Sequence, residues 1–303
     1  MISIITVNFK QRDVTIDLLR SIQENRPDEA IEVVIVDNGS EVDYGVDFRE
    51  VMPDVVYVRS ERNLGFAGGN NLGITHAKGD YLLFLNNDTE ITEDLIVRLK
   101  KELDDHPEAG LVSPLLLYHE DKDLIQYAGY GKINYFTGRN SAGGSKEINQ
   151  GQYDRVCEET AYCHGAAMMC RRRDLDCVGL MDERYFLYYE ELDWGEKFRR
   201  AGLKCWFCGA AHVYHKESVS VGKETPIKTY FMARNRMLFI RKNAGWLAIG
   251  CFSLFFLLIA STKQALVYIA KRRFDLIKWH YKGVWWNMTH ATDSYDLGFK
   301  LIR

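Results

Sequence analysis

Three short runs hold residue types that could do chemistry. In YYEELDW (188–194), Glu190, Glu191 and Asp193 fall within four positions, among Phe186, Tyr188, Tyr189 and Trp194. Acids in the first turn of a helix favour its macrodipole, which is the plain structural reading. The aromatic setting points instead to a partly buried cluster. Crowded, desolvated carboxylates have raised pKa values, as a general base requires. Asp88 closes the apolar run YLLFLNND beside Asn86 and Asn87. A carboxylate there can hold a hard divalent cation against a diphosphate, because magnesium keeps waters and takes few protein ligands. In NLGFAGGNN (63–71), which holds Asn63, Gly65, Phe66 and Asn70, glycines let the backbone approach a ligand closely. The helix start that follows would offer N–H groups to an anion, although a tight turn without a ligand has the same sequence. The spacing is not that of the dinucleotide fingerprint, and the run follows the third strand-like segment rather than the first. His215, after AHVY, and His212 read by themselves as satisfied surface or core residues.

These residues need a scaffold, and the first 120 positions alternate strand and helix. ISIITV, IEVVIV, VVYV and YLLFL are short apolar runs of the kind buried in parallel sheets. Asp13 can cap a helix carrying Val14, Leu18, Leu19 and Ile22, and Thr92 can open one carrying Leu95, Ile96, Leu99 and Leu103. This rhythm predicts right-handed crossovers and a mostly parallel, Rossmann-like α/β sheet flanked by helices. Such sheets bind ligands beyond the carboxyl ends of their strands. Asn8, then Asp37, Asn38, Gly39 and Ser40, then Asn86 to Asp88 all fall there; turn chemistry accounts for any one of them. Residues 124–152 are rich in Gly, Tyr and Asn with little periodicity, which predicts a long mobile loop or an acceptor-side insertion. Residues 163–232 carry the remaining polar clusters.

The chain has 303 residues, 47% hydrophobic and 27% charged, enough for one catalytic domain and an appendage. Its net charge of −3 gives no whole-chain sign of nucleic acid as a partner. Seven cysteines are too few and too irregular for a disulfide scaffold, and the lone C-x-x-C of Cys205 and Cys208 reads as buried thiols on a strand. The chain starts on a strand-like run without the pattern of a signal peptide, so a cytosolic body is expected. Residues 263–303 hold eight Lys/Arg against three Asp/Glu, a balance of +5 that leaves −8 for the rest. Residues 244–262 are uncharged, between Arg241 and Lys242 on one side and Lys263, Lys271, Arg272 and Arg273 on the other. Basic residues on both sides oppose a clean crossing. Phe274, Ile277, Tyr281 and Trp285 then share one helical face, and Trp279, Trp285 and Trp286 suit the headgroup level. An interfacial or re-entrant pair of helices is expected, with a single span or ordinary core helices as alternatives. Removal of residues 244–303 is expected to leave nucleotide binding intact.

In this order SIITVNFK, IVDNGS, NLGFAGGNNLGI, GDYLLFLNNDTEI, HGAAMMCRR, FLYYEELDWGEKFRRAG and AHVYHKES resemble glycosyltransferase family 2, within it the rhamnosyltransferase-like branch. The likeness runs from about residue 3 to 242 and implies a GT-A fold and an inverting reaction, with a donor half at 1–120, an acceptor half at 121–242 and a membrane-associated region at 243–303. By motif, Val7, Asn8 and Asp37 would line the nucleoside pocket, Asp37 accepting from the pyrimidine. Asn38, Asn63, Gly65, Phe66 and Asn70 would flank the ribose and diphosphate. Asn86, Asn87 and Asp88 occupy the family's D-x-D position, with Asp88 the anionic ligand to Mg²⁺ or Mn²⁺ and His215 completing the site. His164, Gly165 and Trp194 fall in the acceptor pocket. Glu190, Glu191 and Asp193 match the catalytic acids, with Glu191 the base. Lys197 stands where an Arg is common. The implied donor is a UDP- or dTDP-sugar, dTDP-rhamnose among them, and the membrane reading of the tail adds a lipid-linked glycan acceptor at the cytoplasmic membrane face. Two other readings use the same parts: a nucleotidyltransferase, which would release pyrophosphate, and a non-catalytic sugar-nucleotide sensor.

Overall fold

The computed structural model describes residues 1–216 and 224–300, so Glu217 and Ser218 of the AHVYHKES motif lie outside the described residues. The four apolar runs form β1 (Ile2–Asn8), β2 (Ile31–Asn38), β3 (Val56–Ser60) and β4 (Tyr81–Leu85), side by side and parallel in the order β3-β2-β1-β4. Helices α1 (Arg12–Glu24), α2 (Gly45–Val51), α3 (Gly65–His76) and α4 (Leu95–Asp105) follow in sequence. Two expected helix starts move. Asp13 lies inside the first turn of α1, paired with Arg12, and Thr92 precedes α4, its hydroxyl donating to His212 O at 2.8 Å.

Beyond β4 the sheet becomes mixed. It continues through β9 (Ala167–Arg171), β6 (Ala109–Tyr118), β10 (Lys204–His215) and β5 (Thr89–Ile91). β9 runs antiparallel to β4, pairing Ala167 with Leu85, so His164 and Gly165 lie at the edge where β4 ends. β10 runs parallel to β6 and antiparallel to β5, pairing His215 with Thr89. That register brings the end of β10 to the residue after Asp88. Cys205 and Cys208 are buried thiols on β10, as the apolar run implied.

The segment expected to be a mobile loop is an ordered arm. After β7 (Ile125–Tyr127) the chain folds back on itself, with Ala128 N–H donating to Gly143 O at 2.9 Å and Asn134 N–H to Arg139 O at 2.8 Å. Its backbone groups pair with each other, so no alternating apolar pattern was needed to hold it. β8 (Cys157–Thr160) then pairs with β10.

The C-terminal helices share a core with the body. α5 (Leu175–Val178) and α6 (Glu190–Arg200) precede α7 (Pro226–Asn243), against which α9 (Phe274–Thr289) lies. Val284 and Trp286 are buried with Leu238, Phe239 and Ile240. A methyl group at Gly283 would stand 2.5 Å from Tyr230 O, so the two backbones touch there. The Arg234 guanidinium lies 3.8 Å from the Trp286 ring centroid. Trp286 therefore cannot sit at a headgroup surface, contrary to expectation, whereas Phe274, Tyr281 and Trp285 do point outward. Lys242 is not a flanking surface charge either: it pairs with Asp182 and with Asp193 at 2.9 Å. Between them, the helix α8 (Trp246–Ala270), with a π-helical turn at Phe256–Ala260, buries Phe252 and Phe256 and exposes Leu247, Leu254 and Leu258 on the opposite side.

Candidate active site

Glu190 and Glu191 are delivered by an unusual backbone. Phe186, Tyr188 and Tyr189 have φ of 64°, 69° and 74°, a region costly for bulky residues and found where surrounding structure imposes it. The constraint is visible. Asn235 on α7 donates to the carbonyls of Tyr185, Leu187 and Tyr188, each at 2.8 Å. Phe66 N–H donates to Phe186 O at 2.6 Å. The segment is held from two sides and turns directly into the first turn of α6.

Glu191 meets Gly165 at this point. A methyl group at Gly165 would lie 3.6 Å from Glu191 Cβ and Cγ and 3.6 Å from the Phe66 ring. Burial pushes the Glu191 carboxyl up to about 7, against the lowering effect of backbone N–H groups at the helix start. Burial and the Glu191 charge push Glu190 further, well above the usual carboxylate range. Each has an Oε2 buried without a hydrogen-bond partner among the described residues. Of the two, Glu191 gives up its proton near neutrality.

The next residue back, His164, connects this carboxylate to a second cluster. Its ring centroid is 5.9 Å from that of His215. His215 Nε2 lies 3.2 Å from Asp88 Oδ1, and both side chains are almost wholly buried. His215 Nδ1 donates to Gln126 Oε1 at 2.9 Å, which fixes the ring. With Nδ1 engaged, the ring turns Nε2 toward the Asp88 carboxylate, a nitrogen and an oxygen of the kind that hold a divalent cation. His164 stays neutral: burial, then His215, push it down to about 3. Its Nδ1 accepts from Ala166 N–H at 3.1 Å. β7 and the arm after it supply two residues that sequence reasoning missed. Gln126 orients His215, and the Tyr130 ring stacks at 6.0 Å on His164. The only trace of them was the tyrosine-rich composition of residues 124–152.

Several of the expected ligand groups hydrogen-bond to one another at the sheet edge. Asn8 donates to Asp37 at 3.1 Å and accepts from Thr15 and Gln11 N–H. Asp37 is fully buried and also accepts from Ser40 and from Tyr57 at 3.0 Å. Asn87 donates to Thr15 at 3.0 Å, while Asn86, partly exposed, holds Ala166 O through its backbone N–H at 2.9 Å.

The NLGFAGGNN run is tied into the fold by its own backbone and amide groups. Asn38 donates to Gly65 O at 2.9 Å and to Asn63 at 3.2 Å, and accepts from Leu64 N–H. Asn63 accepts from Gly65 N–H at 2.8 Å. The expected free donors at the start of α3 are therefore already used at Leu64, Gly65 and Phe66, which corrects the phosphate reading of that helix end. Gly69 stands against Val7, and Gly73 against Ile5 and Val36, which lets α3 lie flat on the sheet. Asn70 donates to Phe66 O, and Asn71 ties α3 to Met181 and Glu183.

Asp193 and Trp194 are corrected too. Asp193 accepts from Tyr185 and Asn243, each at 3.0 Å, and pairs with Lys242, away from Gly165. Trp194 is fully buried between Phe84 and Phe198, its indole N–H donating to Gly179 O, and can touch no acceptor. At helical spacing, positions three and four residues beyond Glu190 share its side of α6 but sit a turn deeper in the protein. Lys197 donates to Leu180 O at 2.7 Å.

Comparison with known proteins gives the family and the fold. The glycosyl transferase family 2 model matches residues 3–179. A low-salt glycan biosynthesis hexosyltransferase of Haloferax volcanii is 27% identical over 245 residues, covering 78% of this chain and 74% of its own. An N-acetylglucosaminyl-diphospho-decaprenol L-rhamnosyltransferase of Mycobacterium tuberculosis is 23% identical, covering 75% and 79%. Among solved structures, GalNAc-T7 with UDP, GalNAc and Mn²⁺ superposes with a TM-score of 0.67 at 17% identity, over 96% of this chain and 57% of that one. A mannosyltransferase of Pyrobaculum calidifontis in complex with GDP-Man and Mn²⁺ gives 0.58 at 14% identity, over 95% and 86%. The family match covers more than half of the chain and spans every strand end of the donor side. The chain belongs to glycosyl transferase family 2, in its rhamnosyltransferase-like branch, and is a glycosyltransferase of the GT-A fold.

Proposed function

We propose that this enzyme moves a sugar from a UDP- or dTDP-sugar, dTDP-rhamnose included, onto a hydroxyl of a lipid-linked glycan, with inversion, at the cytoplasmic membrane face during cell-surface polysaccharide synthesis. The observation that carries the reading is Glu191: a buried carboxylate with an unpartnered oxygen and a pKa of about 7, beside Gly165 and one residue from the His164–His215–Asp88 cluster.

Glu191 takes the proton from the acceptor hydroxyl as that oxygen attacks the anomeric carbon, and the nucleoside diphosphate leaves from the opposite face. Base assistance of this kind supplies about 10²–10⁴-fold. Gly165 leaves room for the acceptor beside the carboxylate. Glu190, held protonated, adds no second negative charge there. Asp88 and His215 fit Mg²⁺ or Mn²⁺: one carboxylate and one imidazole converge, and Gln126 fixes the ring as in sites where a histidine's other nitrogen is anchored. When bound, such a cation would offset the charge that gathers on the departing diphosphate. The Mn²⁺ in the two similar solved structures supports this assignment. Support for the membrane comes from α8, whose 25 residues span about 37 Å against a hydrocarbon core of about 30 Å, and from the outward Phe274, Tyr281 and Trp285 of α9. The burial of one side of α8 in the body favours a helix lying in the interface over a crossing.

A thermal-shift screen of UDP-, dTDP- and GDP-sugars with Mn²⁺, followed by product analysis, tests the reading, since a donor stabilises only the folded state. Release of a nucleoside diphosphate is expected. Release of pyrophosphate would identify a nucleotidyltransferase, and donor binding without turnover a sensor.

A further inference from the structure

Between α7, α8 and the arm that follows β7 lies a cavity of about 480 Å³. Its lining includes Arg139, Lys228, Arg236 and Lys263; among the described residues its one carboxylate is Glu224, which already holds Lys271. Among the described residues, Arg139, Arg236 and Lys263 have no ion-pair partner. Cations that converge without carboxylates repel one another, so a site of this kind gains from an anion. Arg236 donates through Nη2 to Thr137 O at 2.6 Å, but its Nε is buried with no partner. Burial also lowers the Arg236 pKa from its ordinary value, which an anion would reverse.

Two further features connect this cavity to the catalytic segment and to the apolar helix. Tyr189, which lines it, immediately precedes Glu190 and Glu191, and its hydroxyl feels the charges of both Arg236 and Glu191. The other wall is α8 at its π-helical turn, a local irregularity common at functional sites. The far side of α8 exposes Leu247, Leu254 and Leu258.

We propose that this cavity holds the phosphate or diphosphate of the lipid-linked acceptor, with the hydrocarbon chain leaving toward the exposed Ile259 and Leu266 of α8 and the sugar reaching Glu191 past Tyr189. The assignment rests on the glycosyl-transfer reading and adds to it the anchor by which the acceptor is recognised. The cations at the cavity would donate charge-assisted hydrogen bonds to the phosphate oxygens.

Calorimetric titration of the full chain in detergent, with EDTA present so that the Asp88 site does not compete, tests it with three probes: farnesyl diphosphate, farnesol and inorganic pyrophosphate. Farnesyl diphosphate should bind, and farnesol should bind at least about tenfold more weakly, as expected for lost charge-assisted contacts. Arg139 and Lys263 are exposed, so Arg139→Ala and Lys263→Ala should fold normally, checked by melting temperature. Each should weaken farnesyl diphosphate by about tenfold, the loss of one charged contact, and leave nucleotide binding unchanged. Equal binding of farnesyl diphosphate to both variants and the parent would overturn the site. Inorganic pyrophosphate binding as tightly as farnesyl diphosphate would overturn the lipid part and leave a site for free phosphate. Failure of the glycosyl-transfer reading would show elsewhere, as no nucleoside diphosphate released in the product assay.

Discussion

Glu191 and Asp193 lie two residues apart on one helix turn and face opposite fates. Glu191→Gln keeps size while removing basicity, so kcat should fall by about 10²–10⁴-fold with donor affinity little changed. Asp193→Asn should instead lower the melting temperature, because it loosens a buried charge network. There, burial by itself would raise the neighbouring Asp182, yet hydrogen bonds from Arg184 and Lys242 hold it well below the usual range. A kcat loss for Asp193→Asn at unchanged stability, with Glu191→Gln active, would move the base by two positions. The raised Glu191 pKa has two consequences of fixed sign. The base form needs the proton gone, so kcat/KM should climb with pH up to about 7 and then level off. The folded carboxyl keeps its proton up to about 7, whereas an unfolded glutamate loses it near its ordinary value of about 4.3. Stability from this group is therefore lost as pH rises between those values, on the order of 3 kcal/mol in all. Glu191→Gln should then raise the melting temperature at pH 8 and leave it unchanged at pH 4. At the other cluster, Asp88→Ala should abolish metal-dependent turnover, and Gln126→Leu should raise the Mn²⁺ concentration needed by about 10–100-fold by freeing the His215 ring. Full activity of the parent enzyme in excess EDTA would refute both.

At the scale of elements, the site depends on a junction between the start of α3 and the segment before α6. Gly65 has φ of +73°, and a methyl group there would meet Phe186 O at 2.1 Å. Gly65→Ala thus carries both backbone strain and a collision with the segment that positions Glu191. Gly202, at φ +81° with nothing within 4 Å, supplies the comparison. Gly202→Ala should cost about 1 kcal/mol from conformation alone. Gly65→Ala should cost distinctly more in a denaturation experiment, and should also reduce kcat where Gly202→Ala does not. Equal effects would mean that the Phe186 junction does not hold the catalytic segment. The arm after β7 belongs at this scale as well. It brings Tyr130 to the active site and Arg139 to the cationic cavity, while β7 itself supplies Gln126, so one stretch of chain serves both.

For the whole molecule, the helices after Asn243 are structural as well as peripheral. Deleting residues 244–303 would uncover Leu238 and Ile240 and strip Trp286 from Arg234, a fully buried arginine. The truncated chain should aggregate or melt well below the full one, and nucleotide binding should weaken with it, which revises the expectation from sequence. Membrane attachment is better tested by changing outward residues only. Phe274→Glu with Trp285→Glu removes two large apolar side chains, each 63% exposed, from one face of α9. Vesicle flotation should decrease while the melting temperature and nucleotide binding stay put. Unchanged flotation would transfer the contact to the Leu247, Leu254 and Leu258 side of α8.

What the sequence determined by itself were the features that local chemistry dictates. Four apolar runs became four parallel strands in the expected places, and Asn8, Asp37 and Asp88 came to one sheet edge, because strand length, β-branching and turn residues are all local signals. The pairing of Asp88 with His215 was legible only through resemblance, since 127 positions separate them and a register between β5 and β10 joins them. Tertiary structure decided the rest. It separated Glu191 from Asp193 and Trp194, which a one-dimensional run cannot do, because helix faces are sorted by what packs against them. It showed that Asn38 and Asn63 use up the donors at the start of α3, a matter of pairing that composition leaves open. It turned Lys242 and Trp286 inward, since whether a basic or aromatic residue meets water, lipid or a partner depends on the neighbouring helix. And it gathered cations from the arm, α7 and α8 into one cavity, a convergence over more than 120 positions that no spacing rule contains.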